Sequence, residues 1–178
     1  MSERSDTSRW LSEDAALGVL ELSRGAGREL LNKGWLQPQQ DGIFREAEIV
    51  EATILKHIRP SLGRSSEASN TWTALRKDGT VGGIVQLALS EDAALRFEIV
   101  VDELTRSLSG VVNDEQLVIA VRGPLRRRLV FIDLTEELNA RLTAFCRRAN
   151  RGPVPASRRG RPRKTADVHA LPLRATSS

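Results

Sequence analysis

The stretch that decides the fold is residues 12–36, SEDAALGVLELSRGAGRELLNKGWL. Ser12 precedes two acidic residues and an apolar run, which predicts a short helix. A serine hydroxyl accepts hydrogen bonds from the free N–H groups at a helix start, and the helix dipole favours acidic residues there. Ser23 offers a second N-cap, and Gly34 supplies the left-handed residue that commonly ends a helix. The stretch therefore predicts two consecutive short helices joined by a tight turn.

A third helix and a short strand are predicted directly after this pair. Residues 39–42, QQDG, are typical of a turn, and Ile43 and Phe44 could return as a short strand. Apolar residues recur at helical spacing from residue 46 to 58. Two short helices, a turn with a strand and a third helix outline a winged helix–turn–helix over residues 10–59. In that fold the second helix enters the major groove of DNA.

Specific residues strengthen this interpretation. A serine opens the second helix, an arginine follows five residues later, and a glycine and a leucine lead into the wing. These residues are Ser23, Arg28, Gly34 and Leu36, and the pattern continues through Pro38, Asp41, Gly42 and the segment AEIV at 47–50. In this pattern residues 10–58 resemble the DNA-binding domain of the MerR-like family, and phage excisionases are similar at this level. The resemblance implies a DNA-binding regulator.

Basic side chains on the second helix are the candidate DNA contacts. Spacings of four and five residues predict that Arg24, Arg28 and Lys33 share about one side of it. An arginine can bridge the O6 and N7 atoms of guanine or bind a phosphate. The alternative is that these are ordinary solvated charges. The predicted contact residues of this domain are Ser23, Arg24, Arg28, Lys33 and Arg45.

The charge of the chain is unevenly distributed. The whole sequence has 27 Lys and Arg residues against 23 Asp and Glu residues, for a net charge of +4. Residues 1–140 hold 17 basic and 22 acidic residues, whereas residues 141–178 hold ten basic and one acidic. A mildly acidic body with a strongly basic tail indicates a polyanionic partner that is bound largely through the tail.

The tail carries a second candidate DNA-binding motif. Residues 150–178 show no apolar periodicity, so disorder is predicted for them and for the polar residues 1–9. Within the tail stands RRGRPRK, which resembles an AT-hook: Arg158, Arg159, Gly160, Arg161, Pro162, Arg163 and Lys164. Glycine leaves room at the groove floor and proline keeps the chain extended, so the arginines can lie in the narrow minor groove of A·T tracts. The alternative is a generic arginine-rich tail.

The region between these two motifs is predicted to be a linker and a small domain. Residues 60–72 are rich in serine and predict a linker. Residues 73–149 predict a small α+β domain. We expect this domain to form a homodimer, because a single short recognition helix rarely gives enough affinity and winged domains commonly pair over two half-sites.

Three patterns support the α+β prediction. Residues 93–101 alternate like a strand that passes into a helix. Leu117–Val121 and Leu129–Leu134 are β-branched or apolar, which predicts the two strands of a hairpin. Thr135 is predicted to cap a final helix, whose core-facing residues are Leu138, Leu142, Phe145 and Cys146.

Several classes of protein find little support. A single cysteine excludes an internal disulfide framework, and no apolar run of about 18 residues could span a membrane. The N-terminus lacks an apolar signal core, which predicts a cytoplasmic, nucleoid-associated protein. His57 and His169 form no catalytic or metal-ligand pattern with Cys146 or the acidic pairs. We therefore expect no enzyme activity, no cofactor and no metal.

The overall prediction is an α+β protein with a winged helix–turn–helix, a middle domain and a disordered basic tail. The predicted function is sequence-specific binding of double-stranded DNA, preferably with A·T-rich flanks, as a bacterial or phage transcriptional regulator. Two alternatives stay open. One is an architectural protein of the nucleoid type, and the other is a protein-interaction module with a non-specific nucleic-acid-binding tail.

Overall fold

The computed structural model describes residues 9–38, 42–122 and 128–151. The described helices are α1 (Glu13–Val19), α2 (Arg24–Asn32), α3 (Glu46–Ile58), α4 (Ser65–Lys77), α5 (Thr80–Ala88), α6 (Asp114–Val121) and α7 (Thr135–Arg148). The described strands are β1 (Arg9–Trp10), β2 (Glu98–Asp102), β3 (Ser107–Val111), β4 (Leu129–Asp133) and β5 (Asn150–Arg151). Short 3₁₀ turns occupy Arg59–Leu62 and Asp92–Ala94. The predicted α+β class is confirmed.

The first three helices form where the capping signals place them. Ser12 occupies the N-cap position of α1, although its hydroxyl makes no capping hydrogen bond there, whereas the Ser23 hydroxyl accepts a hydrogen bond from the Ala26 amide at 3.2 Å. Gly34 has a φ of 67°, the left-handed conformation that glycine adopts without a steric penalty. The bounds of α3 match the predicted helix over 46–58. Local sequence alone was enough to locate these helices.

Backbone hydrogen bonds connect the residue before the N-cap of α1 to the segment before α3. Leu11 and Phe44 exchange two backbone hydrogen bonds of 2.8 and 2.9 Å in an isolated bridge. The short strand predicted at Ile43 and Phe44 is thus reduced to this one bridge. Both bridge residues are fully buried, together with Ile49 and Phe145, in a small apolar cluster under α1. The cluster holds α1, α3 and α7 together.

The linker predicted over residues 60–72 is wrong, because this stretch holds a 3₁₀ turn and most of α4. Ala68, Trp72 and Leu75 lie at helical spacing and are buried, while polar residues such as Ser66 and Asn70 are exposed. Trp72 packs in the same apolar core as Trp35 and Ile58. The core is therefore continuous across the boundary that the serine-rich composition suggested.

Arg76 adds polar contacts between α4 and the first three helices. Its guanidinium donates to the carbonyl oxygens of Gly34 and Trp35, at 2.8 and 3.0 Å, and pairs with the Glu51 carboxylate. The orphan carbonyls after α2 thus gain a donor from a distant helix. Burial raises the pKa of Glu51 even though the Arg76 cation opposes that shift.

A three-stranded antiparallel sheet in the order β3-β2-β4 covers the other side of the core. Val100 of β2 lies opposite Ser109 of β3 and Phe131 of β4. The strand predicted within residues 93–101 is confirmed, but the helix predicted after it is wrong. Residues 103–106 instead form a turn with a left-handed Arg106, and the chain returns as β3.

The hairpin predicted from Leu117–Val121 and Leu129–Leu134 is also wrong, because the first segment forms α6. Asn113 caps α6 by accepting a hydrogen bond from the Gln116 amide, and Asp114 and Glu115 occupy its first turn. These capping interactions outweigh the strand preference of Val118 and its β-branched neighbours. The second segment forms β4, which pairs with β2 instead.

The last helix, α7, packs across α1 and α3. Leu138 and Phe145 are buried as predicted, and Leu142 packs partly buried against the core. Cys146 was predicted in the core but is exposed, and its sulfur accepts a hydrogen bond from Arg9 at 3.1 Å. Thr135, the predicted N-cap, is the first helical residue, and its hydroxyl accepts a hydrogen bond from the Phe97 amide at 2.8 Å.

Candidate nucleic-acid interface

The outward side of α2 presents Arg24, Arg28 and Asn32 at successive turns of the helix. All three are exposed, and with four-residue spacing they lie on one side. Gly27, about a quarter of a turn round the helix from Arg28, is buried against Leu17 of α1. Arginine and asparagine are the side chains that most often form bidentate hydrogen bonds with guanine and adenine edges. Asn32 was missed by the sequence analysis, although the same helical spacing could have identified it.

Arg28 is the member of this group best placed to bind an anion. It is exposed, and no described residue forms a hydrogen bond or an ion pair with it. Arg24, by contrast, pairs with Asp14 at 3.2 Å, and both side chains are mostly exposed. Such an exposed pair contributes about 0–1 kcal/mol, so a stronger anion could displace it. Arg24 and Arg28 therefore lie together as predicted, with Arg28 unengaged.

Lys33 does not share the side of Arg24 and Arg28, contrary to the sequence-based expectation. It is the C-cap residue of α2, and five residues beyond Arg28 the helix has turned by about 140° past a full turn. Its ammonium pairs with Glu29 on its own helix. The hydrogen bond and the charge of Lys33 lower the pKa of Glu29. Lys33 thus belongs to a local ion pair at the end of α2.

Ser23 and Arg45 have structural roles at helix starts. The Ser23 hydroxyl caps α2, as described above. Arg45 is the half-buried N-cap residue of α3, and its backbone amide donates to the Glu48 carboxylate at 2.7 Å. Its Nε atom is buried without a hydrogen-bond partner among the described residues. Only part of the Arg45 side chain is accessible from outside.

A buried arginine links the last helix, α7, to the end of α1, and the sequence analysis did not identify it. Arg141 of α7 is 8% exposed. It donates to the Val19 carbonyl at 2.7 Å, to Glu21 at 2.8 Å and to Glu137 at 3.1 Å. The hydrogen bond that Arg141 donates to Glu21 is the largest contribution that raises the pKa of Arg141. The four-residue spacing to Glu137 is visible in the sequence, but the contact with α1 is not.

Glu137 is the acceptor shared by several basic groups. Besides Arg141, it pairs with Lys56 at 3.0 Å and with His57 at 2.5 Å, both from α3. Burial raises the pKa of Glu137, but the hydrogen bonds from Lys56 and Arg141 and the charge of His57 outweigh it, so the pKa lies below its ordinary value. The carboxylate thus stays ionised and joins α3 to α7.

The chain leads into the basic tail beside the start of α1. In the two-stranded sheet formed by β1 and β5, Arg9 pairs with Arg151 and Trp10 with Asn150. Asn150 and Arg151 thus form a strand, whereas the prediction placed them in the disordered tail. The next residue after β1 is Leu11, which bridges to Phe44. The AT-hook-like motif at 158–164 lies outside the described residues. Arg151, through which the tail is attached, is the last residue that the structure describes.

Comparisons with known proteins identify no relative. No protein-family model, curated protein or solved structure matches the chain. Within the described ranges, no group of three or more His, Cys, Asp and Glu residues could hold a metal ion. No described helix is both long and apolar enough to cross a bilayer.

Proposed function

We propose that the protein binds double-stranded DNA in a sequence-specific manner and acts as a bacterial or phage transcriptional regulator, without enzymatic activity. The observation that carries the proposal is the outward side of α2, where Arg24, Arg28 and Asn32 stand together on a serine-capped helix that follows another short helix. This arrangement fits a helix–turn–helix of the MerR-like or excisionase-like kind. In such a unit α2 would lie in the major groove.

The attachment point of the tail supports a second contact with the same DNA. Six residues separate Arg151 of β5 from Arg158, and the seven steps along the chain span at most about 25 Å. An AT-hook-like motif starting there would reach the minor groove next to the site bound by α2. Tethering makes the second contact effectively intramolecular and can raise avidity about 100-fold or more. We propose a preference for A·T-rich flanks on this basis, and a cytoplasmic, nucleoid-associated location.

An exposed apolar surface on the opposite part of the fold favours a homodimer. None of the α6 residues is buried, and Ile119 is 62% exposed; Phe131 on the outer side of β4 is 52% exposed. β4 is also an edge strand of the sheet. Exposed edges and apolar patches of this kind are typical of protein interfaces.

A second copy of the chain fits the β4 edge. If two β4 strands pair antiparallel about a two-fold axis at Phe131, Val130 of each copy lies opposite Ile132 of the other. The surface is therefore self-complementary, as a two-fold interface requires.

Binding-site selection with the full-length protein tests the function. We expect enrichment of a defined duplex whose binding persists at salt concentrations that release scrambled DNA. Replacing Arg28 by alanine should weaken binding to that duplex by about 1–3 kcal/mol if Arg28 contacts a base. Arg64→Ala is the matched control, because Arg64 is exposed at the start of α4, outside both α2 and the proposed dimer surface.

Other results would support the alternatives. Equal affinity for every duplex would indicate an architectural protein. Loss of all binding when residues 152–178 are removed would indicate an interaction module with a non-specific tail. Unchanged affinity and footprint for Arg28→Ala would exclude α2 as the recognition helix.

A further inference from the structure

A small apolar cavity lies directly behind α2. Its volume is about 180 Å³, and it is enclosed between α2, α3 and the start of α7. The walls are mostly leucine and alanine side chains, including Leu20, Leu30, Leu36 and Leu55. The exposed side of α2 is not involved, so this site is distinct from the proposed DNA contacts.

The size of the cavity indicates the size of a ligand. An apolar cavity of about 150 Å³ is sufficient to hold benzene. A cavity of about 180 Å³ therefore accepts a six-membered ring or an alkyl chain of similar length, with one short substituent. Larger cofactors such as nucleotides do not fit.

The charges around the cavity indicate the chemical class of the ligand. Lys56 and Arg141 reach the cavity, but both already pair with Glu137. Arg59 and Glu29 also line it; Glu29 forms its ion pair with Lys33, and the charge of Arg59 adds a smaller lowering of the Glu29 pKa. The Arg59 guanidinium is held over the Trp35 ring, 4.8 Å from the ring centre. An arginine fixed in this way offers a fork of donors that matches a carboxylate.

We propose that the cavity binds a small carboxylic acid of about the size of benzoate or hexanoate, in its ionised form. The apolar part of the acid occupies the leucine-lined space, and its carboxylate pairs with Arg59. Ala26 and Leu30 of α2 form part of the cavity wall, so a bound acid would contact the helix that carries Arg28.

Isothermal titration of the full-length protein at neutral pH tests the proposal, with benzoate and hexanoate as acids and benzyl alcohol as a neutral ligand of similar shape. We expect saturable binding of one acid molecule per chain, at least about tenfold tighter than benzyl alcohol, because a charge-assisted hydrogen bond is lost with the alcohol. The measurement needs no DNA, so its outcome is independent of the proposed function.

Two variants separate the apolar and ionic contributions. Ala52 lines the cavity and is buried, so Ala52→Leu should fill part of the space and abolish binding of all three ligands. Arg59→Gln should reduce benzoate affinity by about tenfold or more and leave benzyl alcohol unchanged. Arg64→Gln is the control, because Arg64 is exposed and does not line the cavity.

Three results would overturn the proposal. The first is the absence of saturable heat for both acids at millimolar concentration. The second is equal affinity for benzoate and benzyl alcohol. The third is benzoate binding by Arg59→Gln that is as tight as in the parent, which remains decisive even if Ala52→Leu fails to fold.

Discussion

Replacing Gly27 by alanine tests how closely α2 must pack against α1. A Cβ atom at this position would lie 2.7 Å from one methyl carbon of Leu17, closer still to the other, and 3.1 Å from the Cγ atom that carries them. Leu17 is only 3% exposed, so its side chain has little room to move. Alanine would also gain about 0.5–1 kcal/mol of helix propensity over glycine.

Gly25 is the matched control on the same helix. It is exposed, and nothing lies within 4 Å of the Cβ that an alanine would add. Gly25→Ala should therefore stabilise the protein by about 0.5–1 kcal/mol. Because both substitutions gain helix propensity, the difference between them isolates the clash with Leu17, which overpacking data place at about 1–3 kcal/mol.

Thermal unfolding followed by tryptophan fluorescence measures this difference. A gap of about 2 kcal/mol corresponds to about 4–8 °C in Tm for a chain of this length, with Gly27→Ala melting lower. If the clash is the cause, adding Leu17→Ala to Gly27→Ala should cost less than Leu17→Ala costs alone. A Gly27→Ala protein as stable as Gly25→Ala would refute close packing of α1 on α2.

Three further predictions concern the dimer, the tail and the buried charges. Phe131→Glu should convert dimers to monomers in sedimentation. It should not lower the Tm, because the Phe131 side chain is half exposed. A parent protein that is monomeric at all concentrations would contradict the proposed β4 interface. The double substitution Arg159→Ala and Arg161→Ala should remove the preference for A·T-flanked sites in competition binding, and an undiminished preference would leave the tail as a simple polycation. Arg141→Met should lower the free energy of unfolding by about 1–3 kcal/mol, because the Val19 carbonyl loses its donor and Glu137 keeps only Lys56 and His57 as basic partners.

The pH dependence of stability follows from the same carboxylate. The folded-state pKa of Glu137 is lowered, so its contribution to stability is present above the unfolded-state pKa of about 4.3 and is lost as the pH falls through the folded-state value. Urea unfolding between pH 3 and 6 measures the effect. We expect a smaller acid-induced loss in Arg141→Met than in the parent, and equal losses would assign the effect to other carboxylates.

The parts of the fold predicted from sequence are those that local interactions determine. The caps at Ser12 and Ser23, the left-handed Gly34 and the periodicity of residues 46–58 all act within one or two helical turns. Residues 60–72 and 117–121 were misassigned for the same reason. Serine-rich composition and β-branched residues are local preferences, and in both segments packing and capping outweighed them.

The candidate site was only partly predictable, because it depends on contacts between distant segments. The exposure of Arg24 and Arg28 follows from their position on a helix. The rotation of Lys33 away from Arg28 follows from helix geometry as well, because five residues turn the helix about 140° past a full turn, so the spacing was misread. The enclosure of Arg141 by Val19 and Glu21 joins residues about 120 positions apart, so no local pattern could have indicated it.

If the proposed function is right, the uneven charge of the chain makes the position of the basic tail important, and the β1–β5 pairing sets that position. Residues 1–140 have more acidic than basic residues, so α2 alone would approach a polyanion with little electrostatic attraction. The six basic residues of 152–178 supply that attraction, but charge on a long tether would bring the whole protein near DNA without orienting it. The β1–β5 pairing fixes Arg151, from which these residues continue, beside the start of α1. Removing residues 152–178 should therefore weaken binding and flatten its salt dependence together. Reattaching the same residues at the N-terminus, beside β1, should restore both the affinity and its salt dependence. Reattaching them through a long flexible spacer should restore the salt dependence more than the affinity.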